Sequence, residues 1–295
     1  MKKLLGLLCI GLTLALVYGC SDSPNTSLAP DQQPTVNLVP RPEFVETRPD
    51  AQVQAAIMMA DPDYQPLLEK KPPPPPPPDT ADPNPNPAHK YAYIVGISDY
   101  EGTINDLNYC DDDAQDMRSM LQGEGFTILM DLDRNATADA ITAGLQWLVN
   151  QAQPGDEIAF CYSGHGARAS GYGSSIISTD LYYVTHGYVM QYFNQVNCTK
   201  KLITLDACVI GDFHSDAQNG TMMATASNRK LSYDAPDLSN GAWTYYYLDG
   251  ANNQELVFAE DCADYAEDGM IAWASQYNLR VDPKHTDKYG GMFDM

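Results

Sequence analysis

The chain has 295 residues and a formal net charge of −22, from 39 acids against 17 lysines and arginines. A polyanion of this kind disfavours nucleic acid and anionic lipid surfaces, and leaves cationic partners such as basic polypeptides or divalent cations. Its hydrophobic content of 44% is enough for a core, but the apolar residues are unevenly spread, so the chain is best taken from its beginning.

Met1-Lys2-Lys3 is basic, and a nearly unbroken apolar run follows over 4–17. The run is shorter than the ~20 residues a spanning helix needs and has the layout of an export signal. It ends Val17-Tyr18-Gly19-Cys20, which resembles the lipobox of bacterial lipoproteins. That resemblance implies removal of residues 1–19, acylation of Cys20 and a membrane partner held through lipid. Ser21 after the cysteine points to the outer membrane within a bacterial cell envelope.

Residues 20–88 read as a spacer. Of 21 prolines, 18 lie between Pro24 and Pro87, including the run Pro72 to Pro78. Proline lacks the N–H donor and the helical freedom that a core requires, and a polyproline run forms a stiff left-handed helix. Val53, Ile57 and Met58 have the spacing of a short helix within 51–60, with nothing to pack it. Residues 89–295 are of ordinary size for one globular domain.

In that domain, residues 91–98 (YAYIVGIS) predict a buried strand. Residues 111–122 predict a helix, with Ala114, Met117, Met120 and Leu121 on one face and acids in the first turn. A strand follows over 126–132. Thr137 caps a helix to Gln151 with Ile141, Leu145 and Leu148 aligned. A third strand covers 157–162 and ends at Ser163-Gly164-His165-Gly166. Residues 185–196 are helical. A fourth strand, 201–205, ends at Asp206-Ala207-Cys208, and a fifth spans 222–227. Two late helices are placed near 242–250 and 270–277. Continuously apolar strands alternating with helices predict a mainly parallel sheet with helices on both faces.

Ligands of such sheets bind beyond the carboxyl ends of the strands. His165 and Cys208 each stand just past one. A cysteine attacks an acyl carbon as the thiolate, and a histidine beside it can take the proton and return it to the leaving amine. The amides of Gly166 and Cys208 are candidates for the oxyanion site. Singly, a cysteine after a strand reads as a small core residue and Gly-His-Gly as a turn; their matching positions make the pair a candidate nucleophile and base. Beyond the leader and Cys20 the cysteines are Cys110, Cys161, Cys198, Cys208 and Cys262. An odd number leaves at least one thiol unpaired.

Tyr162-Ser163-Gly164-His165-Gly166 and Leu205-Asp206-Ala207-Cys208-Val209-Ile210-Gly211 resemble the histidine and cysteine motifs of caspase-like peptidases, above all metacaspases and their bacterial relatives. Gly102-Thr103-Ile104-Asn105-Asp106, Asn240-Gly241-Ala242-Trp243-Thr244 and Glu267-Asp268-Gly269 extend the resemblance towards the C-terminus. It implies the caspase-like three-layer α/β sandwich and cysteine endopeptidase activity on polypeptide substrates. It also implies an acidic S1 pocket for Arg or Lys, formed by Asp106, Ser163 and Asp206, in which paired carboxylates would grip a guanidinium. The other reading of Asp106 is a helix cap, and of Asp206 a brace for the nucleophile loop.

No metal ligand is assigned. Calcium is the one candidate cofactor, because metacaspases use it, but the loop 167–178 lacks their acidic cluster. Asp212, Asp216, Asp111, Asp112 and Asp113 are the remaining acids for a cation, and solvated acids are the simpler reading. The segment 209–221 contains no Lys or Arg, so an Arg/Lys-specific enzyme stays single-chain there; Arg41, Arg48, Lys70 and Lys71 in the spacer are the points for self-release. The alternative to an enzyme is an inactive caspase-fold lipoprotein that binds basic peptides or Ca2+.

Overall fold

The computed structural model describes residues 38–40 and 82–295. The leader, Cys20, the candidate helix at 51–60 and the four spacer cleavage points lie outside the described residues.

A six-stranded sheet forms the middle layer. In chain order its strands are β2 Lys90–Gly96, β3 Thr127–Leu132, β4 Glu157–Ser163, β8 Lys200–Asp206, β9 Thr221–Thr225 and β12 Lys284–Asp287. Their spatial order is β12-β9-β8-β4-β2-β3, with β12 antiparallel at one edge and the others parallel. Alternate side chains serve opposite faces. Tyr93, Val95, Phe160 and Ile203 enter one core; Ala92, Ile94, Cys161 and Leu202 enter the other. Helices α1 Cys110–Gly123, α5 Ala242–Asn253 and α6 Ala259–Gln276 cover the second face; α2 Ala138–Gln151 and α3 His186–Phe193 cover the first. This is the sandwich expected from the alternating pattern.

Local chemistry explains most boundaries. Thr137 caps α2 by accepting from the Ala140 amide at 3.2 Å. Thr185 does the same for α3 through Tyr188 N. Helix α6 begins eleven residues before the predicted start at 270, because Gly269 does not interrupt it: a Cβ there would strike the Tyr246 ring. The glycine lets α5 and α6 approach each other.

Periodicity did not reveal the second sheet. Strands β5 Gly166–Ala169, β6 Gly173–Ile177 and β7 Tyr182–Thr185 follow His165 as an antiparallel meander. These strands are short, and Gly, Ser and Thr dilute their apolar alternation. β1 Leu38–Pro40, from the stretch read as spacer, pairs antiparallel with β7. A two-strand ribbon, β10 Asp234–Ala235 and β11 Asn240–Gly241, precedes α5. The short helix α4 Phe213–Asp216 follows the loop after Cys208.

The folded unit also starts before residue 89. Asp82 reaches Lys200 Nζ at 2.7 Å, bonds the Tyr289 hydroxyl and accepts from Asp294 N at 3.2 Å. Lys200 and Glu157 are buried 3.2 Å apart at the amino-terminal ends of their strands. Among the described residues no helix is long and apolar enough to cross a membrane.

Candidate active site

β4 and β8 are neighbours, and their register pairs Ser163 with Asp206. His165 and Cys208 are each two residues beyond that pair, so the two side chains leave the sheet at one level. Gly164 N continues the pairing to Asp206 O at 3.1 Å. At Gly166 a Cβ would strike the Cys208 carbonyl and lie 2.7 Å from its amide nitrogen, so only glycine permits this approach. Both candidate oxyanion residues therefore adjoin at the backbone. Val209 takes the left-handed conformation, φ 50°, uncommon for a β-branched residue and typical of a functional turn.

The histidine ring is held in one orientation. Its Nε2 lies 2.7 Å from the carbonyl oxygen of Asn105. A carbonyl only accepts, so Nε2 carries the proton of the neutral ring and Nδ1 is the unprotonated nitrogen. That leaves Nδ1 as the basic nitrogen. The Tyr100 ring packs on the imidazole with centroids 4.7 Å apart.

Cys208 is 3% exposed and His165 1%. The Ser232 amide donates to Cys208 Sγ at 3.3 Å, and the Ser232 hydroxyl donates to Asp206 Oδ1. Asp206 Oδ2 accepts from Thr244 N at 3.1 Å and Thr244 Oγ1 at 2.8 Å. The segment 228–232 thus lies over both residues and is bound to the loop after Cys208 through Val209 N to Lys230 O, 2.9 Å, and Gly211 N to Asn228 O, 2.7 Å.

The acidic cluster differs from the one predicted. Ser163 and Asp206 are together, but Asp106 is elsewhere: it is exposed, and its Oδ1 accepts from Tyr100 N at 3.1 Å. It closes the loop that presents the Asn105 carbonyl. The second carboxylate is Asp113, from the first turn of α1. Its Oδ2 accepts from Ser163 Oγ at 2.6 Å, and its Oδ1 from Gly241 N at 2.8 Å and Asn240 Nδ2 at 3.1 Å. A Cβ on Gly241 would strike Asp206 Oδ2 and lie 2.7 Å from Asp113 Oδ2, so both carboxylates face one point. Burial, then the Asp206 charge, holds Asp113 well above the usual carboxylate range. A signal for Asp113 was present: it precedes Met117 and Met120 by four and seven residues, which sets it on the buried face of α1. Its place in a run of three acids hid it.

Asp113, Ser163, Asp206, Tyr162, Trp243 and Thr244 line a cavity of ≈ 10 Å³, room for about one water. Three of the acids read as a possible cation site have partners of their own. Asp212 pairs with Arg168 at 2.8 Å and accepts from Ser174 N; Asp216 pairs with His186 at 2.6 Å. Asp113 faces the cavity rather than its neighbours Asp111 and Asp112. Asp212, Asp216 and Asp113 thus bond to three different partners, whereas a calcium site gathers six to eight oxygens at one point.

The family model for the caspase domain matches residues 89–276. Metacaspase-1 of Mycosarcoma maydis is 35% identical over 106 residues, 30% of this chain and 26% of the relative. Metacaspase-2 of Trypanosoma brucei brucei is 37% identical over 95 residues, covering 28% and 27%. Metacaspase-2 of Arabidopsis thaliana is 39% identical over 94 residues, covering 28% and 22%. The chain thus spans about a quarter of the length of these relatives. The crystal structure of protein GSU0716 from Geobacter sulfurreducens superposes with a TM-score of 0.52 over 67% of this chain and 92% of that one, at 14% identity; this is a likeness of fold alone.

Proposed function

The chain belongs to the caspase-domain family of cysteine peptidases, and from that premise we propose that it cleaves polypeptides after Arg or Lys with Cys208 as nucleophile and His165 as base. Nδ1 of His165 takes the thiol proton. The thiolate adds to the substrate carbonyl, and the oxyanion is met by the amides of Gly166 and Cys208. The intermediate collapses to a thioester as His165 protonates the departing amine. Water, deprotonated by His165, then releases the acid and restores the thiol.

The observation that carries the specificity is the facing pair Asp113 and Asp206, with Ser163 between them. Two carboxylates at one point suit a guanidinium or ammonium and disfavour an acidic side chain. The Ser232 hydroxyl, bonded to Asp206 Oδ1, gives up that bond when the substrate's basic side chain pairs with the carboxylate. We further propose that the domain is lipid-anchored at the bacterial envelope through Cys20. Fractionation tests this part: wild type sediments with membranes, and Cys20→Ser does not.

The test of the main reading is a peptide library cleaved by wild type and by Cys208→Ala. Cuts after Arg and Lys that vanish in the variant support it. Cuts after Asp overturn the pocket assignment. No cleavage by wild type, with Arg peptides still bound, makes the protein a basic-peptide binder instead.

A further inference from the structure

Two buried tyrosines enclose the peptide unit of His165. Tyr100, 0% exposed, comes from the loop after β2, and Tyr162, 2% exposed, from β4 itself. The His165 amide donates to Tyr100 Oη at 2.8 Å. Tyr162 Oη lies 2.8 Å from the His165 carbonyl and 2.9 Å from that of Ile177. Carbonyls only accept, so the single Tyr162 proton points to them. Tyr100 Oη and Tyr162 Oη are 3.4 Å apart, and with the Tyr162 proton committed, Tyr100 is the donor of that pair.

The bonds therefore run in a circle, from His165 N–H to Tyr100, on to Tyr162, and back to His165 C=O. Gly164 makes room for it: a Cβ there would lie 2.5 Å from Tyr162 Oη and 2.7 Å from Tyr100 Oη. Burial above all, with Tyr162 beside it, holds Tyr100 well above the ordinary phenol range, so it remains a donor across the working pH. The same Tyr100 ring lies against the imidazole, and its backbone amide is held by Asp106. One residue thus braces the backbone and the ring of His165 together.

We propose that Tyr100 and Tyr162 are positioning residues that act as one closed hydrogen-bonded clamp on the base. The proposal rests on the reading of His165 as that base. Misplacement of a catalytic group by ~1 Å can cost ~100-fold, and a ring of bonds fails as a unit when opened anywhere.

The test uses the full chain as Tyr100→Phe, Tyr162→Phe and the double variant, each checked by Tm. The first readout is the pH dependence of Cys208 alkylation by iodoacetamide, followed on the Cys208 peptide by mass spectrometry. It needs no substrate, so it stays informative if the Arg/Lys reading fails. The second is kcat on an Arg peptide. Each single variant is expected to move the alkylation profile towards that of a free cysteine, ~8.5. Each should also lower kcat by ~10- to 100-fold with little change in KM. The double variant should be no worse than the poorer single one. An alkylation profile unchanged in both single variants, or a double variant whose loss is the product of the two, overturns the proposal. Either variant opens the same ring, so misfolding of one leaves the other to decide.

Discussion

Asp106, which the sequence offered as a pocket acid or a helix cap, accepts from Tyr100 N; α1 has no side-chain cap, and Asp113 is the acid facing Asp206. Asp113 faces the cavity with Asp206, whereas Asp106 holds Tyr100 N at the surface. Asp113→Asn should lower kcat/KM on Arg substrates by ~10- to 150-fold, the worth of one charge-assisted bond of ~1.5–3 kcal/mol. Asp106→Asn retains an acceptor for Tyr100 N and should cost far less. Equal losses in the two variants would return Asp106 to the pocket. Asp113 also makes a stability prediction. Its folded pKa is raised by burial and by Asp206, so between the unfolded value of ~3.9 and the raised one the folded state holds more protons. Stability therefore falls as pH rises through that window. Asp113→Asn should flatten this part of a Tm–pH curve and raise Tm at neutral pH, and superimposable curves for the two proteins would refute the assignment.

At the scale of elements, one close approach between helix and sheet is made by a glycine within a helix. A Cβ on Gly144 of α2 would strike the ring of Tyr93 on β2. That ring is fully buried, stacked on Phe160 with centroids 5.7 Å apart, and bonded through its hydroxyl to Asp131 at 2.9 Å. It has no free volume to retreat into. Gly144→Ala should therefore destabilise by at least ~1–3 kcal/mol, although alanine is the better helix former; urea unfolding measures it, and a stabilised variant would contradict the packing. The strands and long helices were legible because their apolar faces repeat. The meander after His165 was not, since its strands are four or five residues long and take their order from pairing with one another.

Over the whole molecule, the buried Lys200 ties the sheet to residues ahead of the matched domain. It pairs with Glu157 at 3.2 Å and Asp82 at 2.7 Å. Burial raises Glu157 to about 7 even with Lys200 and Lys90 near. Lys200→Ala leaves these carboxylates without their buried partner and should cost ~3–5 kcal/mol. A chain starting at residue 82 should likewise unfold at higher urea than one starting at 89, and identical midpoints would mean that Asp82 adds nothing. The spacer supplies a sharper expectation for self-release. Arg41, Arg48 and Lys71 each precede proline, whose ring constrains the bond to be cut. Autolysis followed by intact mass should therefore show cleavage between Lys70 and Lys71, with 209–221 uncut.

The sequence alone determined the alternating sheet and the strand-end positions of His165, Cys208 and Asp206. These are properties of one element at a time, and periodicity and flanking residues report them. Only the tertiary structure decided that Asp113 faces Asp206, how the tyrosines surround His165, and that Ser232 bonds both Cys208 and Asp206. Each depends on how α1 crosses β2 and β4, or on loops far apart in sequence meeting at the sheet's end. Spacing along the chain holds no record of such crossings; they follow from packing both faces of the sheet at once.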